Sequence, residues 1–241
     1  MSTELVEFRR GVVRPIECLQ EGWRLIKDQY WLFVGIIAVG MIVGSAVPLG
    51  ILLGPMMCGI YLCLLRRMRG EPVSFEMLFK GFDHFGDSLI VSLVQFVPMF
   101  VVGMAAYLIS FIALMVPAMT REQGRGRQAE PAEVFGMLGL MMGSMLFVAL
   151  VMMLVALFFL FAYPLIVDRK LPGIEAIKTS FRAVAGNFGG LLGLLLVNLV
   201  LGFIGLLLCY VGALLFLPIG FAAQAIAYQR VFRAGDWPGP G

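Results

Sequence analysis

Three stretches of the chain align without gaps and decide its fold: Ile16-Glu17-Cys18-Leu19-Gln20-Glu21-Gly22-Trp23, Phe75-Glu76-Met77-Leu78-Phe79-Lys80-Gly81-Phe82 and Ile174-Glu175-Ala176-Ile177-Lys178-Thr179-Ser180-Phe181. Each begins with an apolar residue and a glutamate, and each has a small residue at its seventh position and an aromatic residue at its eighth. A long apolar run follows every copy. The pattern predicts one unit used three times, a short surface helix that leads into a pair of membrane-spanning helices.

The composition is that of an integral membrane protein. Of the 241 residues, 61% are hydrophobic and only 14% are charged, whereas soluble domains average about 25% charged residues. The charges are clustered, which leaves apolar stretches longer than the roughly 20 residues that cross a bilayer. Residues 1–28 mix acidic and basic side chains, so we expect no cleaved signal peptide.

Six apolar segments separate at charged or Gly/Pro-rich breaks and predict six spans. They lie near residues 31–47, 49–65, 89–115, 135–167, 191–208 and 211–228. The predicted fold class is therefore an all-α integral membrane protein with six transmembrane helices in three hairpins, each preceded by an amphipathic interfacial helix. We expect a single membrane domain over 1–241, repeat units at 15–68, 74–167 and 173–232, and a mobile outer loop at 119–133.

The positive charges orient the predicted spans. Fifteen of the 18 Lys and Arg residues fall in segments that share one side of a six-span chain. The other side has only Arg121, Arg125 and Arg127. Because loops rich in Lys and Arg stay in the cytoplasm, both termini are expected to be cytoplasmic. Together with the family resemblance described below, which implies a bacterial protein, this orientation predicts a bacterial cytoplasmic (inner) membrane location.

The three surface helices are predicted to be amphipathic, because their apolar residues recur at spacings of 3, 4, 3 and 4 and so share one helical face. These positions are Ile16, Leu19, Trp23, Ile26 and Tyr30; Phe75, Leu78, Phe82, Phe85 and Leu89; and Ile174, Ile177, Phe181, Val184 and Phe188. Two interpretations stay open for this stripe. It lies on lipid, or it packs on the cytoplasmic ends of the protein's own helices.

Candidate contacts to lipids or a partner follow from the repeat. The aromatic residues at the eighth position are Trp23, Phe82 and Phe181, and the glutamates at the second are Glu17, Glu76 and Glu175. A solvated carboxylate near a helix N-terminus is favoured over a site that the three glutamates share. Glu76 is expected to pair with Lys80 and Glu175 with Lys178, since these spacings bring side chains together on a helix.

Polar residues within the predicted spans are few, and none is charged away from the ends. Gln95 and Asn198 occupy comparable parts of the third and fifth spans and are candidate intramembrane contacts. Hydrogen bonding between helices is favoured for both over contact with a substrate. Ion-coupled transporters keep ionisable groups at membrane depth, so this class is disfavoured.

No catalytic, cofactor or metal site is expected. The only histidine, His84, has no companion ligands, and the four cysteines follow no zinc spacing. Phosphate-binding loops, nucleophile elbows and dinucleotide glycine patterns do not occur. Nucleic acid is not an expected partner, because acidic residues lie beside the basic ones.

Several motifs resemble a bacterial membrane family. They are Phe161-Ala162-Tyr163-Pro164-Leu165-Ile166-Val167-Asp168-Arg169, the third repeat stretch as far as Arg182, Gly54-Pro55 with Gly59-Ile60-Tyr61, and Gly70-Glu71-Pro72-Val73-Ser74-Phe75. They look like the membrane domain in front of some glycerophosphodiester phosphodiesterases and like related stand-alone membrane proteins of unknown function. The resemblance implies a six-helix polytopic fold and no defined activity, since the hydrolase part of the fused relatives is missing.

The function predicted from the sequence is non-enzymatic: an integral membrane protein that organises lipids or membrane protein partners through its cytoplasmic amphipathic helices. Membrane lipids are the expected partners, with a membrane protein complex or a homo-oligomer as further candidates. The alternative is a channel or transporter for a lipid-like or small solute. Glycines, prolines within the spans, and the pair Gln95 and Asn198 motivate that alternative.

Overall fold

The computed structural model describes residues 7–47, 50–122, 131–207 and 211–232, and every regular element in these ranges is helical. The α-helices are α1 (Pro15–Ile26), α2 (Tyr30–Ser45), α3 (Leu53–Met68), α4 (Phe85–Glu122), α5 (Pro131–Phe158), α6 (Ala162–Arg169), α7 (Gly173–Gly186), α8 (Phe188–Leu207) and α9 (Val211–Phe232). Lys27–Gln29 and Phe75–His84 are 3₁₀ helices. The predicted outer loop is shorter than expected, because α4 and α5 extend into it; its residues 123–130 lie outside the described ranges, as do Pro48 and Cys209.

Five helical segments are long and apolar enough to cross a membrane, so the prediction of an all-helical membrane protein is confirmed at this level. They are Pro15–Ser45, Phe75–Ile112, Leu138–Arg169, Phe188–Leu207 and Gly212–Phe232. The predicted segment 49–65 corresponds to α3, which has only 16 residues. At about 1.5 Å per residue it is roughly 24 Å long, shorter than the roughly 30 Å hydrocarbon core. The predicted count of six spans is therefore not confirmed.

The predicted fourth span, 135–167, is divided between α5 and α6 by a break at residues 159–161. Ser180 of α7 occupies this break: its Oγ donates to the carbonyl of Phe158 (2.7 Å) and accepts from the amide of Phe161 (3.2 Å). Pro164 has no amide hydrogen with which to continue the helix across the break. A side chain and a proline thus interrupt a continuous apolar run.

The second surface segment is a 3₁₀ helix and not the α-helix that the spacing predicted. Leu78 and Gly81, three residues apart, are buried, which fits the three-residue repeat of a 3₁₀ helix. A Cβ atom at Gly81 would overlap the backbone oxygen of Pro55 in α3. The narrow face formed by these two residues therefore lies directly against the backbone of α3.

The described helices form two compact units: unit 1 comprises Met1–Val94 and Leu157–Gly241, and unit 2 comprises Gln95–Ala156. In unit 1 the second and third surface segments each pack on the helix that precedes them in the chain, and the first packs on the last helix. The 3₁₀ helix packs on α3, α7 on α6, and α1 on the last helix, α9. The first and last parts of the chain are thereby joined.

The seventh residue of each repeat stretch is buried at these contacts. Gly22 lies on α9, where a Cβ would approach the amide nitrogen of Ala223 to 2.7 Å. Gly81 and Ser180 occupy the same position on α3 and at the α5–α6 break, as described above. Small residues are therefore required where the sequence repeats them, because the helix backbones approach closely there.

A residue at or just after the end of each surface segment forms a hydrogen bond with the part of the chain that precedes another copy. The contacts are Asp28 with Arg67 at 3.2 Å, Asp87 with the amide of Gly173 at 3.0 Å, and Asn187 with the amide of Val12 at 3.2 Å. The first copy therefore contacts the residues just before the second copy, and the second copy contacts those just before the third. The third copy contacts the residues just before the first. The contacts follow a closed cycle.

Unit 2 is an antiparallel pair formed by the later part of α4 and most of α5. Gly103 lies opposite Met152, and the hydroxyls of Ser110 and Ser144 are 3.1 Å apart. No side chain that the structure describes in this unit is fully buried.

Candidate membrane-surface site

Three aromatic side chains project from equivalent positions of the surface segments in unit 1. Trp23, Phe82 and Phe181 are 44%, 37% and 40% exposed. The first residues of the same stretches, Ile16, Phe75 and Ile174, are exposed as well. Apolar side chains so exposed on an amphipathic helix are typical of segments that lie in the membrane interface.

The apolar stripe of each segment is divided between two environments. Ile26, Leu78 and Val184 are fully buried in the protein, while the aromatic residues of the same stripes remain outside. The segments are buried on one side and open on the other, so the interpretation that the stripe packs on the protein's own helices is confirmed only at its buried positions.

Each exposed aromatic residue lies against further aromatic rings. Trp23 makes an edge contact with Tyr30 at 5.5 Å between centroids, and Phe82 stacks on Phe85 at 6.4 Å. Phe181 stacks on Phe158 at 4.8 Å. Such contacts fix the rings and reduce the conformational entropy that a bound lipid or partner would otherwise remove.

The same segments also carry exposed basic side chains. Five are exposed on the surface segments or directly after them, and none of the five forms an ion pair with another described residue: Arg24, Lys27, Lys80, Lys178 and Arg182. Over the same stretches the exposed acidic residues are Asp28, which pairs with Arg67, and Glu76 and Asp83. The exposed charge of the segments is therefore positive on balance.

The three repeated glutamates have different environments. Glu17 accepts hydrogen bonds from Arg14 and Arg230, both at 2.9 Å. Glu76 is exposed and Glu175 is half-buried. Among the described residues, neither Glu76 with Lys80 nor Glu175 with Lys178 forms an ion pair, so both predicted pairs are wrong. Lys80 and Lys178 face solvent, where an ion pair contributes only a few tenths of a kcal/mol.

Sequence reasoning missed the polar contacts that tie the copies together. Arg230 reaches both Glu17 and Glu21, the latter at 2.7 Å, and so joins α9 to α1. Asp168 accepts from Arg69 and from the hydroxyl of Tyr228, which joins α6 to α3 and α9. No local pattern pointed to these contacts, because Arg69 and Asp168 are 99 positions apart and Arg230 and Glu21 are 209 apart.

The two predicted intramembrane contacts lie in different units. Gln95 is half-buried on α4 at the start of unit 2. Asn198 lies on α8 in unit 1, and its Oδ1 faces the α-carbon of Gly220, where a Cβ would be 3.0 Å away. The Nδ2 of Asn198 is buried and has no hydrogen-bond partner within the part of the chain that the structure describes.

Within the described residues, no group of three His, Cys, Asp or Glu side chains is placed to hold a metal ion. His84 ends the 3₁₀ helix at the membrane-surface site and is half-buried. Cys18, Cys58 and Cys63 are buried as free thiols.

Comparison with known proteins gives no relative: no family model, no curated protein and no solved structure matches the chain.

Proposed function

We propose that this is a non-enzymatic integral membrane protein that organises lipids or membrane protein partners through its three surface segments. The proposal rests on the exposed aromatic residues at equivalent positions of the three segments, together with exposed basic side chains on the same segments that form no ion pair with another described residue. Aromatic rings favour the interface, and Lys and Arg attract anionic headgroups by about 1 kcal/mol each near the surface. Anionic lipids are the proposed first ligands, and a protein partner or a second copy of the chain would bind the same rings.

We propose further that the chain contains three copies of one unit, related by an approximate threefold axis, and that α3 is the sixth membrane-inserted helix. The cyclic contacts of the surface segments support the repeat. The burial of α3, with ten of its 16 residues enclosed, supports its insertion through contact with neighbouring helices and not with lipid. This architecture agrees with the resemblance to the phosphodiesterase-associated membrane domains, and the proposed location is a bacterial inner membrane with both termini in the cytoplasm.

Lipid retention tests the proposed function. The protein is extracted from its membrane into lipid nanodiscs, and the bound lipids are counted by native mass spectrometry. A triple variant, Trp23→Ala, Phe82→Ala and Phe181→Ala, is expected to lose most of the retained anionic lipid. The loss follows because each ring contributes apolar area at the interface, at roughly 25 cal/mol per Å².

The matched control removes three rings from unit 2 that are at least as exposed: Phe100→Ala, Phe111→Ala and Phe147→Ala. These rings lie on the hairpin and not beside the basic cluster, so the control variant should keep its anionic lipid. Equal retention by the two triple variants, or absence of any specific lipid or protein from the wild type, would contradict the proposal.

The alternative proposal is a channel or transporter for a lipid-like or small solute. A cavity between α8 and α9, lined by Asn198 and Gln224, is the observation that favours it. Flux of small neutral solutes into liposomes that contain the purified protein distinguishes the alternatives. Flux above that of empty liposomes supports transport, and equal flux removes this alternative.

A further inference from the structure

One face of α7 begins with an apolar residue and continues with basic ones. Ile174, Lys178 and Arg182 follow one another at intervals of four residues and so form a single row along the helix. All three are exposed, and so is Phe181, which lies one turn from Lys178. Neither basic residue of the row forms an ion pair with another described residue.

The N-terminal segment, residues 7–14, adds a third basic side chain to this row. Gly186 takes the next position, four residues after Arg182, and ends α7. A Cβ at Gly186 would lie 3.1 Å from the Cγ of Arg10 and 3.0 Å from the ring of Phe8. Arg10 is exposed, and its guanidinium carbon lies 5.8 Å from the centroid of the Phe8 ring. Its side chain therefore covers the surface where the row would otherwise end in a glycine.

Hydrogen bonds of the backbone hold Arg10 in this place. The amide of Arg9 donates to the carbonyl of Val231 at 2.8 Å, and the carbonyl of Arg9 accepts from the Nδ2 of Asn187 at 2.8 Å. The Oδ1 of Asn187 accepts from the amide of Val12 at 3.2 Å. Because both neighbours of this turn are anchored, little backbone entropy is lost when Arg10 contacts an anion.

The row distinguishes the third copy of the repeat from the other two. The second copy has an aromatic and an acidic residue where the third has its two basic ones, and the first copy has only one basic residue there. The equivalents of Lys178 and Arg182 are Gln20 and Arg24 in the first copy, and Phe79 and Asp83 in the second.

The charge of the row favours an anion. Like charges one turn apart on a helix repel each other, and an anion between them would remove this repulsion. The acidic residues of α7 and of the N-terminal segment are Glu175, which is half-buried, and Glu7. The three basic residues of the row outnumber them, so the face is positive on balance.

We propose that α7 and the N-terminal segment together form a binding site for the phosphate headgroup of an anionic phospholipid, with Arg10, Lys178 and Arg182 around the phosphate. The exposed Ile174 and Phe181 on the same helix favour a lipid over a free phosphate, because apolar side chains beside basic ones match an amphiphile. This site rests on the proposed function of the surface segments and assigns a defined headgroup contact to the third of them.

Photo-crosslinking tests the site in the full chain. The probe is phosphatidylglycerol with a diazirine in its headgroup, incorporated into phosphatidylcholine nanodiscs that contain the protein. Chymotrypsin cuts after aromatic residues, so the fragments that report on α7 and α1 keep their ends when Arg or Lys is replaced. Mass spectrometry gives the labelled fraction of each. Unlabelled phosphatidylglycerol should prevent labelling of α7, whereas phosphatidylcholine and free glycerol 3-phosphate should not.

Two charge-matched variants locate the headgroup. Arg10→Gln should lower the labelling of α7 about fivefold, the effect expected for one basic residue near the membrane surface. Labelling of α1 should stay the same and serves as an internal reference. Arg9→Gln removes the same charge from the neighbouring residue, whose side chain is not among the atoms nearest to Gly186, and should label as the wild type does.

Equal losses in Arg9→Gln and Arg10→Gln would overturn the proposed site, as would competition by glycerol 3-phosphate as strong as that by the lipid. Labelling of α1 without α7 would contradict this site and leave the proposed function of the segments standing. Absence of labelling above that of a phosphatidylcholine probe on both helices would contradict both. Thermal unfolding shows whether each variant is folded. If Arg10→Gln is not, Lys178→Gln decides, because a similar loss supports the site and unchanged labelling contradicts it.

Discussion

Unit 1 and unit 2 bury their apolar residues in opposite ways. In unit 1, side chains such as Phe33, Ile36 and Tyr61 are enclosed by other helices. In unit 2 the described side chains of the α4–α5 pair are exposed or only half-buried. Both parts of the chain are strongly apolar, so hydropathy alone does not distinguish them.

The difference lies in how close the backbones come. Unit 1 has small residues at its helix contacts, as at Gly22 and Gly59, and hydrogen bonds or ion pairs join its surface segments. In unit 2, no described atom lies within 4 Å of the position that a Cβ would occupy at Gly136, Gly139 or Gly143. Lipid chains are as apolar as a leucine side chain. An apolar helix face therefore gains no free energy by moving from lipid to another helix unless the two helices pack closely.

The largest effect is expected at a glycine of unit 1. Gly81→Ala places a methyl group on the backbone oxygen of Pro55 and on the backbone of Gly59. Because neither backbone can move without displacing α3, we expect a loss of about 3 kcal/mol in unfolding free energy. The corresponding fall in melting temperature in detergent is roughly 10 °C.

The matched control lies in unit 2. Gly143→Ala adds the same methyl group in open space, and alanine is the better helix former by about 1 kcal/mol. Its melting temperature should equal or exceed that of the wild type. Equal losses at the two glycines would remove the distinction between the units.

The next effect concerns the N-terminal segment, which Asn187 holds. The side-chain Oδ1 of Asn187 accepts a hydrogen bond from the backbone N–H of Val12. Its Nδ2 donates to the backbone carbonyls of Arg9 (2.8 Å) and Ala183 (3.0 Å). Asn187→Ala should cost about 2 kcal/mol, because a buried set of hydrogen bonds is lost.

Limited proteolysis provides a local readout of the Asn187 contacts. Trypsin should cut after Arg9 and Arg10 more than tenfold faster in Asn187→Ala, since the segment no longer has its anchor. Thr179→Val, an isosteric replacement of a hydroxyl on α7, should leave the rate unchanged. An unchanged rate in Asn187→Ala would show that other contacts hold the segment.

A smaller effect is expected at the ion pairs of α9 and α1. Arg230→Met leaves Glu17 and Glu21 without this partner and should lower the unfolding free energy by about 1–2 kcal/mol, because the pairs are only partly shielded from water. Arg14 is the other partner of Glu17 and is far more exposed than Arg230. Arg14→Met should therefore change the unfolding free energy by less than about 0.5 kcal/mol. Chemical denaturation in detergent measures both, and equal values would show that burial of Arg230 adds nothing.

The sequence contained the local features of unit 1 but not its pairings. Residue types alone predicted the apolar runs, the phase of the surface segments and the exposed rings, since these depend on periodicity. The contact of α1 with α9 and of Arg230 with Glu21 joins residues more than 200 positions apart, which a local pattern does not encode. Pro164 was a predicted kink or end point, and a break lies close to it, between α5 and α6. The hydroxyl of Ser180 that occupies the break comes from another helix, so a local pattern does not predict it.

The smallest effect is expected within unit 2, at the hydrogen bond between Ser110 and Ser144 (3.1 Å). Ser144 also donates to the carbonyl of Met141 at 2.9 Å in its own helix, and the hydroxyl of Ser110 can turn to its own backbone when Ser144 is replaced. A double-mutant cycle of Ser110→Ala and Ser144→Ala should therefore give a coupling of about 0.6 kcal/mol, the average for such bonds within membranes. A coupling above about 2 kcal/mol would show that a specific polar contact holds the hairpin together. Unit 2 would then resemble unit 1 in its energetics although its side chains are not enclosed.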